Sequence, residues 1–345
     1  MARGASVTTP TLVDAQERRI LLVDGNNLLH RVCHIPAFHE LRTVGGLQAG
    51  GMFGFLKSLR KSLDMSIFVR CIVAWDSTKS KSKRRLRLFP EYKDRSNRPD
   101  NRAPEKLREK AEYMKFFDAQ RSLLSGMLSS LGVDEIELPG REGDDVLFWV
   151  RENMKFLSKD QWHRCVILSE DLDFMQLIDD QTDLYRPIQD QYISLANFTS
   201  IHGVTPARFL LYKAILGDKS DCVPGIRGVG PAAALDIANA VMVDEAISSM
   251  FTPWSWSEVR EYCATSSSRR LQSVAENLET VRRNFLLFNL LEETPSDGDI
   301  QEISDLVHRS SARDLRAALL HLEKVEFVEI TSDYASWSIP FRRLG

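Results

Sequence analysis

The chain has five cysteines in 345 residues, Cys33, Cys71, Cys165, Cys222 and Cys263, and no two of them stand in a CxxC spacing. An odd, scattered set excludes a disulfide framework and a cysteine-based zinc site, and it reads as reduced, buried thiols. No apolar run approaches the roughly 18 residues a membrane-spanning helix needs, and the amino terminus has no cleavable-signal pattern, so a soluble, cytoplasmic chain with no membrane partner is expected. Charge of one sign is also missing, since the formal net charge is only −3. A hydrophobic content of 43% is ordinary for a globular chain with room for one large domain or two.

The weak net charge hides a local asymmetry. In "STKSKSKRRLRLFPEYKDRSNRPDNRAPEKLREK", residues 77–110, lysine and arginine far outnumber the acids, and Phe89, Tyr92 and prolines are interleaved with them. A charge run alone reads as a solvated loop. The interleaved rings tilt it toward a segment that meets phosphates and stacks on bases.

A second pattern is the apolar run that ends on a carboxylate. "ILLVDGNN" stops at Asp24, "CIVAWDS" at Asp76 and "CVILSEDLDF" at Asp171 and Asp173. One Asp-Gly after an apolar run is a good hairpin turn, but three such endings in one chain are hard to explain as corners alone. Around them, helical spacing in "GGMFGFLKSLRKSL" and in "AEYMKFFDAQRSLLSGMLSSLG", the latter read as one helix stopped by Gly132, alternates with strands near 67–75, in "VDEIELPG", at 165–169 and in "TDLYRPIQ". This order predicts an α/β fold with a mostly parallel central sheet and helices on both faces, whose functional crevice lies at the carboxyl ends of the strands. Glu142, Asp144 and Asp145 open a helix that can aim at the same edge. The helix dipole explains one or two acids there, not a converging set.

So many carboxylates in one crevice raise one another's pKa unless cations neutralise them. With oxygen donors only, Mg²⁺ or Mn²⁺ is favoured over zinc, and a pair of such ions suits phosphodiester hydrolysis. Further on, "ILGDKSDCVPGIRGVGPAAA" adds Asp218 and Asp221 and then the turn Gly225-Ile226-Arg227-Gly228-Val229-Gly230 before an alanine-rich helix. Such glycines free backbone groups to approach a phosphate at a helix start.

Together "LLVDGNNLLHR", "VAWDS", "FPEYKDRSNR", "EGDDVL", "SEDLDFMQL" and "ILGDKSDCVPGIRGVGPAAA" resemble, in the family's order over about residues 19–240, the 5′-nuclease family of flap endonucleases and 5′→3′ exonucleases, closest to stand-alone bacteriophage members. The resemblance implies a PIN-like 5′-nuclease fold with a helical arch and a helix–three-turn–helix that grips duplex DNA. It implies a two-metal, Mg²⁺-dependent nuclease acting on 5′ ends, flaps, nicks and RNA-primed duplexes in replication or repair, with Mn²⁺ as a substitute. Asp24, Asp76, Glu142, Asp144 and Asp145 resemble ligands of the first metal, and Asp171, Asp173, Asp218 and Asp221 those of the second. Lys93 resembles the arch lysine that approaches the scissile phosphate, Tyr92 an aromatic that stacks on a displaced base, and Arg95 or Arg98 the arch arginine. The turn 225–230 resembles one whose carbonyls hold K⁺ against a DNA phosphate.

The expected organisation is an unstructured arm at 1–17, a nuclease core at 18–202 with a basic arch at 77–117, the duplex-binding subdomain at 203–290, and an extension at 291–345. In that extension "SIPFRRLG" reads as a loose tail or a partner-binding peptide. Replication partners such as a single-stranded-DNA-binding protein or a sliding clamp, a monomeric state and a host-cytoplasm location for a phage-encoded member complete the expectation. Two other readings stand beside it. A non-catalytic DNA-structure-binding module has no use for mutually repelling acids beside a polyanion. A PIN-type ribonuclease shares the acidic sheet but not the glycine turn and basic arch.

Overall fold

A computed structural model describes residues 17–77, 82–94, 103–155, 162, 164–241 and 254–345. Strands β1 (Arg19–Asp24), β2 (Phe68–Ala74), β3 (Asp134–Ile136), β4 (Arg164–Leu168), β5 (Thr182–Arg186) and β6 (Gln191–Ile193) form one sheet in the order β3-β2-β1-β4-β5-β6. All neighbours pair in parallel except β6, which runs antiparallel along the edge of β5. The order reverses at β1, which pairs with β2 on one side and β4 on the other, as Val23 opposite both Val73 and Leu168 shows. That reversal opens a crevice at the carboxyl ends of the strands.

Alternation along each strand divides the core into two layers. Leu21 and Val23 pack with Phe55, Leu56 and Leu59 of the Gly50–Leu63 helix on one face. Ile20 and Leu22 pack with Val146, Phe148 and Val150 of the Gly143–Met154 helix on the other. A third core lies beyond the sheet. There the Pro206–Leu216, Pro231–Ala240 and Leu278–Phe288 helices bury Leu211, Ile237 and Phe285 together with Trp254.

Two expectations about secondary structure change. The stretch read as one helix up to Gly132 runs from Pro104 to Leu124, breaks at Gly126, whose φ of 77° lies in the left-handed region, and resumes only as Met127–Ser130. The terminal "SIPFRRLG" is no loose tail: Phe341 and Leu344 are buried in the main core, and Arg313 donates to the carbonyls of Phe341 and Arg342 at 3.2 and 2.7 Å. Of the arm expected at 1–17, all but Glu17 lies outside the described residues. No helix among the described residues is long and apolar enough to cross a membrane.

Candidate active site

The stretch Asp24-Gly25-Asn26-Asn27 is a strand-to-helix junction and not a hairpin turn. Asp24 Oδ1 accepts the backbone N–H of Asn27 at 3.0 Å and so caps the Gly25–Cys33 helix. Its Oδ2 accepts the Ser169 hydroxyl at 2.9 Å. Asn26 Oδ1 accepts the N–H of Asp76 at 3.0 Å, and Asn27 Oδ1 accepts the N–H of Glu170 at 3.2 Å. The two amides thus tie the ends of β2 and β4 to the end of β1. Gly25 is needed because a Cβ there would lie 2.7 Å from side-chain atoms of Trp75 and Val73.

From β2, Asp76 Oδ1 accepts the N–H of Gly143 at 2.6 Å, which docks the start of the Gly143–Met154 helix onto the same edge. From β4, Asp171 N–H reaches Ser169 Oγ at 3.0 Å and Asp171 Oδ1 accepts the N–H of Asp173 at 2.9 Å. A short antiparallel ribbon, Gly217–Asp218 against Val223–Pro224, brings Asp218 and Asp221 back toward them. The ribbon is tight, since a Cβ on Gly225 would lie 2.0 Å from the Leu216 carbonyl oxygen.

Three basic side chains stand among the carboxylates. Arg85, 1% exposed, makes a two-pronged pair with Asp145 at 2.9 and 2.7 Å and lies 3.2 Å from Glu142. Lys93 Nζ is 2.5 Å from Glu142 Oε2. Lys93 holds a left-handed φ of 53° and donates its N–H to the Asp221 carbonyl at 2.9 Å, which joins the arch segment to the ribbon. Lys213 pairs with Asp173 and lies 3.1 Å from Asp218.

The acids respond unequally. Burial, together with repulsion from Asp76 and Asp171, pushes Asp24 up to about 7. Burial with repulsion from Asp171 and Asp221 pushes Asp173 up to about 8 despite Lys213, and Asp221 rises to about 6 mainly through burial. Asp76 and Asp144 also rise, chiefly by burial. Burial alone would raise Glu142 and Asp218 as well. Lys93 and Arg85 hold Glu142 down at about 2, and Lys213 with Ser220 does the same for Asp218.

This donor set is all carboxylate oxygen, and three of its acids sit far above their ordinary range, which is the state a hard divalent cation relieves. Among the described residues no three ligating groups close on a single point as a finished metal cage. The inner carboxylates are instead engaged by Arg85, Lys93 and Lys213. The chemistry of the donors therefore fits divalent ions, with Lys93 and Lys213 competing for the same oxygens.

All nine carboxylates expected from sequence lie at this edge; Asp145 differs from the rest in facing Arg85 with both oxygens while buried. Tyr92 corrects a second expectation. It is 2% exposed, donates to Glu142 Oε2 at 3.2 Å and has its ring within 5.2 Å of Lys93 Nζ, so it has no face open to a displaced base. Arg84 and Arg85, counted in the basic run, are turned inward, and Arg84 pairs with Glu293 at 3.0 Å. Arg95 and Arg98 lie outside the described residues. In the glycine turn Ile226 and Val229 are buried, while Gly228, at φ 82°, and Gly230 would meet nothing within 4 Å if given a Cβ. The turn thus anchors itself by two side chains and leaves its glycine backbone bare.

Sequence reasoning missed Arg85, Lys213, Ser169 and the two asparagines. Lys213 had a signal: it is the single cation in the apolar run "FLLYKAIL". Arg85 had none, because it stands in a charge run.

A buried carboxylate edge at a sheet's switch point, faced by Lys93, is the kind of site at which a phosphodiester-cleaving nuclease of the 5′-nuclease class works. Residues 19–203, more than half of the chain, match the family of the 5′-3′ exonuclease N-terminal resolvase-like domain, and the chain belongs to that family. It is 30% identical over 220 residues to a 5′-3′ exonuclease of Aquifex aeolicus (strain VF5), a match covering 64% of this chain and 68% of that one. It is 28% identical over 227 residues to DNA polymerase I of Mycobacterium bovis, of which it spans only 23%. Among solved structures, bacteriophage T5 5′-exonuclease with bound zinc superposes with a TM-score of 0.61 at 20% identity, covering 93% of this chain and 100% of that one. The catalytic core of Rad2 in complex with a DNA substrate superposes at 0.51 and 13% identity, covering 97% and 95%. At these identities the structural likeness is one of fold.

Proposed function

We propose that the chain is a divalent-metal-dependent, structure-specific 5′-nuclease that cuts near the 5′ ends of DNA, at flaps, nicks and RNA primers paired to DNA. The observation that carries this reading is the meeting of acids from β1, β2, β4, the Gly143–Met154 helix and the Gly217–Pro224 ribbon beside Lys93. Asp24, Asp76, Glu142 and Asp144 would hold one ion and Asp171, Asp173, Asp218 and Asp221 the other, Mg²⁺ being the natural choice and Mn²⁺ a substitute. When bound, the ions supply a deprotonated water and neutralise the leaving oxygen. Asp145 and Arg85 keep Glu142 and Asp144 in position. Lys93 leaves Glu142 and faces the charge that develops on the scissile phosphate. The bare backbone of Gly228 and Gly230 supports duplex contact there, with K⁺ held by the carbonyls of residues 225–230. The enzyme acts as a monomer in the cytoplasm.

The test is cleavage of 5′-labelled flap, nicked, RNA-primed and single-stranded substrates in Mg²⁺. Wild type should prefer the flap and nick. Asp24→Ala and Asp173→Ala should lose cleavage while keeping duplex affinity within a few-fold, because phosphate contacts elsewhere supply most of the binding. Robust cleavage in excess EDTA would refute the proposal.

A further inference from the structure

Away from the carboxylate edge, a cavity of about 580 Å³ opens between the Gly25–Cys33 and Gly50–Leu63 helices, the segment after β5 and the carboxy-terminal extension. Its floor is aliphatic and aromatic, with Leu28, Val32, Phe53, Ile330 and Trp337. The wall formed by the extension is fixed, because Arg60 Nε donates to the Trp337 carbonyl at 3.1 Å and Trp337 stacks on Phe341. None of the active-site carboxylates lines it.

The rim carries Arg31, Lys57, Arg60 and Lys61 against one lining acid, Glu329. Lys57 reaches Glu329 at 3.5 Å and Lys61 reaches Asp190 at 3.3 Å, and in both pairs each side chain is more than half exposed. Such solvent-exposed pairs are weak and readily exchanged. Arg31 donates to a neutral acceptor, Asn27 Oδ1, at 2.8 Å. At the mouth, Ile188 stands 61% exposed. Arg60 also faces Asp64 at 3.1 Å, so three of the four rim cations meet an acid through contacts at the surface, and an apolar floor beneath such a rim suits an occupant whose carboxylates take over those partners while its apolar side chains fill the floor.

We infer that this cavity is a docking site for an acidic peptide that carries bulky apolar side chains, its carboxylates meeting the rim lysines and arginines and its apolar residues filling the floor. A nucleic-acid strand fits less well. Its phosphates would suit the rim, but the lining rings are already engaged: Phe38 and Phe53 meet edge to face, Lys57 lies over Phe53, and Trp337 is stacked on Tyr334 and Phe341, which leaves bases little to stack on.

The experiment is fluorescence anisotropy on the full chain with a labelled peptide Asp-Glu-Asp-Glu-Leu-Gly-Phe-Leu. Two controls accompany it: the same peptide with lysines for the acids, and one with serines for Leu and Phe. Saturable binding of the first peptide only, weakened about ten-fold or more by Lys57→Glu with Lys61→Glu and by Ile188→Asp, and weakened by added salt, supports the site. These three residues are exposed, so the variants should keep wild-type nicked-duplex cleavage, which certifies their folding independently of peptide binding. Absence of saturable binding, equal binding of the lysine peptide, or unchanged affinity in the folded variants would overturn the inference. So would displacement of the peptide by duplex or single-stranded DNA, self-association of the chain that Ile188→Asp abolishes, or binding that emerges only when residues 1–16 are deleted. These last outcomes would give the cavity to nucleic acid, to a second copy or to the chain's own arm.

Discussion

Replacing Arg85 with leucine should be among the most damaging single changes in the protein. The guanidinium is 1% exposed, and besides its two bonds to Asp145 it donates to the Leu287 carbonyl at 3.1 Å and lies 3.2 Å from Glu142. Leucine leaves Asp145, 1% exposed, buried without its counter-charge. Removing one partner of a buried pair costs roughly 3–5 kcal/mol, whereas replacing both by apolar groups of similar volume is often neutral or better. Asp145→Leu alone should cost less than Arg85→Leu, since Arg85 keeps Glu142 and Asp144 as neighbours. The double variant should be more stable than Arg85→Leu, yet below wild type, because the contacts to Glu142 and Leu287 are lost with either arginine variant. Urea unfolding in EDTA measures this. With an m-value of about 3 kcal/mol/M, Arg85→Leu should lower the midpoint by about 1 M or more. A shift below about 0.3 M, or strictly additive single effects, would show that the pair is not coupled and would return Asp145 to the set of exchangeable metal ligands.

Three further outcomes follow from the same geometry. In EDTA the protein should lose stability as pH rises from about 5 to 8. Asp24, Asp173 and Asp221 have folded pKa values of about 7, 8 and 6, above the 3.8 of a free aspartate, so across this window the folded state binds more protons than the unfolded one. Glu142 and Asp218, held near 2, act only at lower pH, and Mg²⁺ should flatten the slope; a melting temperature in EDTA that rises over this range would contradict the burial of these acids. Lys93→Ala should slow single-turnover cleavage by about 10²-fold or more with little change in substrate affinity, and an unchanged rate would leave Lys93 a structural partner of Glu142 only. Gly228→Val, whose Cβ meets nothing within 4 Å but which strains a left-handed φ, should weaken duplex binding and make its salt dependence shallower while the fold survives, whereas Gly225→Ala, driven onto the Leu216 carbonyl, should destabilise the protein itself; equal effects on thermal stability would refute the distinction.

The strand-end carboxylates were legible because a buried parallel strand is a nearly continuous apolar run, so the first charged residue marks where the chain leaves the sheet. Asp24 and Asp76 stand at those points, Asp171 follows directly on Glu170 after β4, and the sheet order brings all three aspartates to one edge. What sequence could not show was which charges look inward. Arg84, Arg85 and Lys93 share one basic run, yet Arg84 meets Glu293, Arg85 is fully buried against Asp145 and Glu142, and Lys93 reaches Glu142 from a partly exposed position. Periodicity does not resolve this, because the Lys83–Leu88 helix is too short to display a face. The terminal "SIPFRRLG" failed for a related reason. Its buried residues, Phe341 and Leu344, are held by long-range packing and by Arg313 and not by a repeat visible in the segment.

The same three cations explain how a metal-dependent site can fold before metal arrives. Nine acids packed this closely would push one another toward protonation. Arg85 settles one of them, Asp145, through a two-pronged contact that is shut off from solvent. Lys93 and Lys213 settle others reversibly, each bridging to an acid that a hard cation also favours, Glu142 in one case and Asp173 with Asp218 in the other. Lys93 is the more accessible of the two, with a third of its side chain exposed, whereas Lys213 is buried in a helix. Ion binding should therefore displace Lys93 first, releasing at the exposed side of the crevice the ammonium group that neutralises Glu142.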